Sequence, residues 1–274
     1  MSKTPYDTAA FHRFEHEGWE RLSQGYHRHW EALTTQAVPG LLAATEVAKG
    51  MHVLDIACGP GYVSGAAAAR GATTVGVDFS ENMIVLARSV FSELDFQTGD
   101  AEDLPFAEDS FDAVLINFGV LHFPDPEKAL SEAYRVLKTG SRLVFTNWAK
   151  SENSAIEIAM KAIAQEGSFK VGLPAGTPLY RFADPDECKA VLGGIGFENI
   201  SSTELALTWR LPRPDVLMEN FHQATARMSG LLNAQDPEAL PAISAAMAKA
   251  CAPYDQGNVT VLQMPAMLTV ATKT

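Results

Sequence analysis

The stretch Val53-Leu54-Asp55-Ile56-Ala57-Cys58-Gly59-Pro60-Gly61-Tyr62 decides how the chain is read. An apolar run holding one acid passes into a glycine-rich turn, and the alanine-rich segment after Gly61 opens a helix. Glycine lets a ligand approach the backbone closely, and the free N–H groups of a helix N-terminus attract a carboxylate or phosphate. Strand, glycine turn and helix in that order predict a cofactor at the carboxyl edge of a parallel sheet.

Working outward, the same alternation continues. Short apolar runs at 51–57, 73–78, 94–100, 111–118 and 141–149 are separated by helical stretches, the pattern of βαβ units whose sheet is covered on both faces. One helix follows Gly61, a second starts at a Ser80 cap with Glu81 in its first turn, and a third is expected from Asp125-Pro126 to Gly140 with Lys138 in its last turn. Beyond Trp148 come a helix near 152–165, a Gly/Pro-rich loop at 172–178, and a helix capped by Asp184 with Pro185 at N1 and closed by Gly193, Gly194 and Gly196. FENISSTELALTW then reads as one strand, 214–252 as helices and MPAMLTVATK as the last strand. The predicted fold is α/β, a doubly wound, mostly parallel, seven-stranded Rossmann-like sheet. Its parts are a helical lid over 1–50, a cofactor-binding domain over 51–208 and 259–274, and a helical cap insertion over 209–258 before the last strand.

Composition narrows the function. The 274 residues are 47% hydrophobic and 20% charged, an ordinary globular balance, and the net charge of −12 argues against a nucleic-acid partner, whose phosphates call for a Lys/Arg surface. Cys58, Cys188 and Cys251 are odd in number and widely spaced, with no C-x-x-C pair, which points to a reducing cytoplasm. The N-terminal segment has no apolar core of a signal peptide, and no apolar run reaches the roughly eighteen residues that membrane insertion needs. No His/Cys/Asp cluster has ligand spacing, so no metal is expected.

Three acids define the ligand. Asp55 sits four residues before Gly59, where it would repel a pyrophosphate but suit an amino-acid zwitterion with a nearby sulfonium. Asp78 ends the second strand, 17 residues after Gly61, where an acid accepts both ribose hydroxyls of a nucleoside. Asp100 ends the third, able to accept from an adenine amino group while the Ala101 N–H donates.

This set resembles the class I S-adenosylmethionine-dependent methyltransferases of the ubiquinone/menaquinone-biosynthesis type, over about residues 52–149. Leu104-Pro105-Phe106, Asp109-Ser110-Phe111-Asp112 and Tyr134-Arg135-Val136-Leu137-Lys138-Thr139-Gly140-Ser141 belong to the same likeness. The resemblance implies a methyl transfer from S-adenosylmethionine to a small-molecule acceptor by in-line displacement, leaving S-adenosylhomocysteine. It places Gly59 and Gly61 against the methionine moiety, Asp55 near its amine, Asp78 on the ribose, Phe79 and Met83 around the adenine, and Asp100 and Ala101 at the adenine edge. Ala57, Glu102, Asn117 and Phe118 join the cofactor pocket, and Tyr26 of the lid reaches the cofactor. Cys58 is expected to pack rather than react.

For the acceptor side, His122 is the candidate base where the nucleophile arrives protonated, its other reading being a capping or packing histidine. Trp30, Trp148, Tyr180, Arg181, His222 and Arg227 are the candidates for the substrate pocket, with Arg227 available to pair an acidic substrate. A lid helix of this kind is also a common place for a homodimer contact. Two other functions share the motif. A nicotinamide-dependent oxidoreductase calls for G-x-G-x-x-G, where this chain has Ser64 in the third place and Gly65 one residue late. A protein of the same fold that uses the bound cofactor structurally, without methylating, is the other.

Overall fold

Alternating apolar residues send strand side chains to opposite faces, and here that alternation builds a layer of helices on each side of the sheet. In the computed structural model, which describes residues 6–274, β1 (His52–Ile56), β2 (Thr73–Asp78), β3 (Asp95–Thr98), β4 (Phe111–Asn117) and β5 (Leu137–Trp148) pair in parallel. β6 (Phe197–Leu205) follows, β7 (Thr208–Leu211) and β8 (Thr260–Gln263) form a separate antiparallel pair, and β9 (Ala266–Lys273) runs antiparallel between β5 and β6. The large sheet has seven strands in the order β3-β2-β1-β4-β5-β9-β6. The chain moves outward from β1 to β3 and then returns to the other side of β1 as β4, so a crevice opens at the carboxyl ends of β1 and β4.

The ten α-helices of the described residues are α1 (Thr8–Thr34), α2 (Val38–Ala44), α3 (Tyr62–Ala68), α4 (Glu81–Val90), α5 (Pro126–Val136), α6 (Ala155–Glu166), α7 (Pro185–Ile195), α8 (Leu217–Ala224), α9 (Ala226–Asn233) and α10 (Leu240–Cys251). Leu54, Val114 and Phe145 face Leu130 of α5 and Leu192 of α7. Val53, Leu115 and Val144 face a larger core that includes Trp30 and Leu33 of α1, Leu41 of α2, Ile163 of α6, Phe221 of α8 and Met247 of α10. The lid and the insertion helices thus share one core with the sheet. The first five residues of the expected lid lie outside the described residues.

Caps fall where the sequence places them. Ser80 Oγ accepts from Met83 N at the start of α4, Asp125 caps α5 and Asp184 caps α7. Two expectations fail. The third helix stops at Val136 rather than Gly140, because Val136 and Leu137 are fully buried and the carbonyls of Arg135 and Val136 are taken by Asp109 N and Ser110 N. Lys138 therefore lies in β5, pairing with Asp112, and Gly140, at φ +83°, is a kink in that strand instead of a helix end. The strand read through FENISSTELALTW is also two. The chain turns after Leu205, and β7 leaves the sheet to pair with β8, a strand missed in the sequence, which sets Trp209 against Trp30.

Candidate cofactor and acceptor cleft

At the sheet crevice the β1 turn is built from left-handed backbone. Ala57, Gly59 and Gly61 have φ of +54°, +50° and +83°, a region that costs a residue with a Cβ and brings successive N–H groups to one side. A Cβ on Gly61 would lie 2.5 Å from the Phe96 ring, whereas one on Gly59 would meet only Met83 Sδ, at 4.0 Å. Gly59 thus leaves an open cradle against the backbone.

The three acids reach this crevice in different states. Asp55 Oδ2 accepts from Ser64 N (3.0 Å) and Ser64 Oγ (2.8 Å), while its Oδ1 is buried with no partner among the described residues. Burial pushes the Asp55 carboxyl up to about 7, against the Ser64 hydrogen bonds and with help from the Asp78 charge. Asp78 Oδ2 accepts from Gly59 N (2.9 Å) and its Oδ1 from Ser80 N (3.0 Å), and burial lifts it to about 6 in spite of those bonds. Asp100 is exposed, 3.9 Å from His12 Nε2, and accepts from Glu102 N.

Above these acids lies a cavity of about 370 Å³, roofed by α1. Among the cofactor candidates, Tyr26, Asp55, Ala57, Gly59, Asp78, Phe79, Met83, Asp100, Ala101, Asn117 and Phe118 line it. Gly61 lies just behind, as the cap of α3. Glu102 does not line it, since its carboxylate accepts from Asp125 N at the start of α5. Phe79 meets the rings of His12 and His16 edge-on. Tyr26 stacks on Trp30 and donates to Thr34 Oγ1, and Asn117 is held between Thr34 O and Thr146 Oγ1.

Of the acceptor candidates, His122, Trp30, Trp148 and Arg227 line the same cavity. Phe118 and Trp148 stack with ring centroids 3.9 Å apart, and Trp30 packs on Trp148 and Phe221 with its Nε1 buried and unpartnered among the described residues. The sequence left Arg227 available to pair an acidic substrate, but in the fold it is committed to Glu15 and to the carbonyls of Thr177 and Leu121. Three candidates lie elsewhere. Tyr180 donates to Glu157, Arg181 is clamped by Glu127 and Glu187, and His222 is exposed and bonded to Asn233.

Sequence reasoning passed over Glu15, which is fully buried on α1 and bonded to His122. A signal was present, because Phe11, Glu15, Trp19 and Leu22 follow helical spacing and Glu15 is the one acid in that buried stripe. Phe14, Met160, Phe221 and Met228 of the wall were also passed over. Among the described residues no group of three or more His, Cys, Asp or Glu could hold a metal, and no helix is long and apolar enough to cross a membrane.

Residues 54–145 match the family model described as a methyltransferase domain. The demethylmenaquinone methyltransferase of Clavibacter sepedonicus is 36% identical over 175 residues, covering 60% of this chain and 69% of that protein. The ubiquinone/menaquinone biosynthesis C-methyltransferase of Geotalea daltonii is 31% identical over 208 residues, covering 68% of this chain and 84% of that protein. The matches to two other demethylmenaquinone methyltransferases span 51% and 48% of their length. Among solved structures, an S-adenosylmethionine-dependent methyltransferase from Thermotoga maritima superposes with a TM-score of 0.55 at 19% identity, covering 95% of this chain and 100% of that one, which shows a shared fold.

Proposed function

We infer the acceptor from one premise: the chain belongs to the class I S-adenosylmethionine-dependent methyltransferases of the ubiquinone/menaquinone-biosynthesis type. It is an enzyme that methylates a small molecule. The acceptor proposed is a flat, largely apolar hydroxylated ring, of the quinol kind that its relatives are named for.

The residues present fit the cofactor. Asp55 Oδ1, buried and without a partner among the described residues, is open to a donor such as the methionine ammonium, the cradle at Gly59 admits a chain against the backbone, and Asp78 keeps lone pairs for ribose hydroxyls. S-adenosylmethionine, when bound, supplies a methyl carbon made electrophilic by its sulfonium. The protein's part is to hold the nucleophile in line with that carbon and to remove water from around it.

The stacked pair Phe118–Trp148 is the observation that carries the acceptor reading. With Trp30 and Phe221 it makes an aromatic wall suited to a planar ring. The one guanidinium of the wall, Arg227, is already satisfied, so a phosphate or carboxylate entering here would meet no free cation among the described lining residues. His122 stands at this wall as the base for the ring hydroxyl, whose ionisation makes either the oxygen or the adjacent ring carbon nucleophilic. Three free, buried cysteines support a cytoplasmic location.

The test incubates the protein with S-adenosylmethionine and either a dihydroxynaphthalene or phosphoethanolamine, following S-adenosylhomocysteine by mass spectrometry. Turnover with the dihydroxynaphthalene alone is the expected result. Turnover with phosphoethanolamine alone would overturn the acceptor reading.

A further inference from the structure

Among the described residues, the one fully buried acid on the lid helix lies just behind the cavity wall, bonded to three residues that line it. Glu15 Oε2 accepts from Trp19 Nε1 at 3.1 Å and from His122 Nδ1 at 2.9 Å, and its Oε1 accepts from Arg227 Nε at 2.6 Å. Arg227 is held in turn by the carbonyls of Thr177 and Leu121 and lies over the Phe11 ring, 4.6 Å from its centroid. Burial acts to raise the Glu15 carboxyl, but the charges and hydrogen bonds of His122 and Arg227 outweigh it and hold the group below its ordinary value. Glu15 is therefore a carboxylate, and a carboxylate only accepts.

That fixes the histidine. In the neutral ring the hydrogen sits on Nδ1, pointing at Glu15, and the lone pair sits on Nε2, which has no protein partner among the described residues. The ring itself faces the cavity and is braced edge-on by Trp19, with centroids 5.0 Å apart.

We propose that Glu15 is the positioning residue of the reaction: from α1 it holds His122 in the tautomer that takes the acceptor's proton at Nε2, so the base is assembled only while the lid helix is seated. The inference rests on the hydroxylated acceptor argued above. In the step, the acceptor O–H bond breaks, its proton goes to Nε2, and the electron pair stays with the acceptor for bond formation to the methyl carbon. His122 becomes an imidazolium whose charge Glu15 balances, and the proton leaves to solvent with the product. The Leu121 and Thr177 carbonyls and Arg227 keep Glu15 in place. Because His122 follows β4, Arg227 sits on α9 and Glu15 on α1, three elements remote in sequence must meet before a base exists.

Glu15→Gln separates this role from simple packing. Its carbonyl oxygen stays with Arg227, where a charge-assisted bond is kept, so the amide NH₂ turns to His122 and Trp19. An NH₂ group needs an acceptor and Trp19 Nε1 is only a donor, so His122 Nδ1 must become the acceptor and the hydrogen moves to Nε2. Nitrogen NMR of the histidine rings, with the His122 signal assigned by its loss in His122→Gln, should show Nδ1–H in the wild-type protein and Nε2–H in Glu15→Gln. Turnover of a neutral dihydroxynaphthalene should fall by roughly a hundredfold or more in Glu15→Gln. With a ring-substituted dihydroxynaphthalene that is already ionised at the assay pH the loss should be under about fivefold, and calorimetric S-adenosylmethionine affinity should be unchanged within about threefold.

Equal losses on the two acceptors would reduce Glu15 to a packing residue and overturn the proposal. So would Nε2–H in the wild-type spectrum, a result that needs no variant to fold. Failure of the wild-type enzyme to methylate any dihydroxynaphthalene would sink the acceptor reading instead, leaving the tautomer to judge Glu15 by itself.

Discussion

Asp55→Asn should make the cofactor-free enzyme more stable while weakening its grip on the cofactor, with the gain growing as pH rises. The folded protein lifts the Asp55 carboxyl from the ordinary 3.8 to about 7, chiefly by burial. Between those values the native state holds a proton that the unfolded chain has lost, so stability falls as pH rises through the window and is level above it. At about 1.36 kcal/mol per unit, the full rise from 3.8 to about 7 costs about 4 kcal/mol, of which about 3 kcal/mol falls between about pH 5 and about pH 8. Asparagine can keep the Ser64 bonds but places an NH₂ where Oδ1 had no partner, a penalty of about 1–3 kcal/mol that does not depend on pH. The variant should therefore gain about 1–3 kcal/mol over wild type near pH 8 and be near parity at pH 5. Urea unfolding of both proteins at the two pH values measures this, with S-adenosylmethionine added in parallel to read the lost affinity as a smaller ligand-induced stabilisation. Parallel pH dependences for the two proteins would refute the reasoning, since they would mean that Asp55 ionises at an ordinary value in the empty site, its charge already answered there.

Asp78→Ala should weaken S-adenosylmethionine binding by roughly 1–3 kcal/mol by calorimetry, the cost of leaving ligand hydroxyls unpaired; an unchanged affinity would remove Asp78 from the ribose. Trp148→Leu keeps an apolar side chain but loses the stacked face against Phe118, so KM for a dihydroxynaphthalene should rise about twofold to twelvefold with cofactor affinity retained, as aromatic pairing of about 0.5–1.5 kcal/mol predicts. Arg227→Met leaves Glu15 buried without its guanidinium, bonded only to His122 and Trp19, and should destabilise the fold by about 3–5 kcal/mol in chemical denaturation, and a loss under about 1 kcal/mol would show that the ion cluster is dispensable.

The cofactor half of the cleft was legible because its requirements are local. A left-handed turn asks for glycine, a ribose asks for an acid at a strand end, and Gly59, Gly61 and Asp78 satisfy both within one βαβ unit. Even there a residue misled: Glu102 stands beside Asp100 in sequence, but its carboxylate turns away to the α5 terminus. The acceptor half was not legible to the same degree. Its wall draws scattered side chains from α1, α6, α8, α9 and the loop around Leu173, where an aromatic at helical spacing is the same signal as a core aromatic. Arg181 and Tyr180 looked available because their partners, Glu127, Glu187 and Glu157, are brought to them by the fold rather than by sequence neighbourhood. The false end of α5 has a similar cause, since tertiary burial of Val136 and Leu137 overrode the glycine that would otherwise have closed the helix.

Buried carboxylates at and behind one cavity wall can be sorted by how the protein answers their charge, and the sorting matches the roles proposed for them. Glu15 receives three hydrogen bonds, one from a guanidinium, and is held below its ordinary value; nothing is left for a ligand to supply. Asp55 and Asp78 have only backbone N–H and hydroxyl donors, no cation at hydrogen-bond distance among the described residues, and values raised to about 7 and about 6. Their charge is costly until something cationic or hydroxylated enters the crevice, so the proposed cofactor contacts would relieve a cost that the fold sustains by itself. Full satisfaction belongs to the acid that must hold a catalytic ring still, and incomplete satisfaction to the acids that must prefer a ligand to water. On the proposed roles, the lid helix would position the base while the sheet edge would select the cofactor, and each should be open to weakening by mutation without the other.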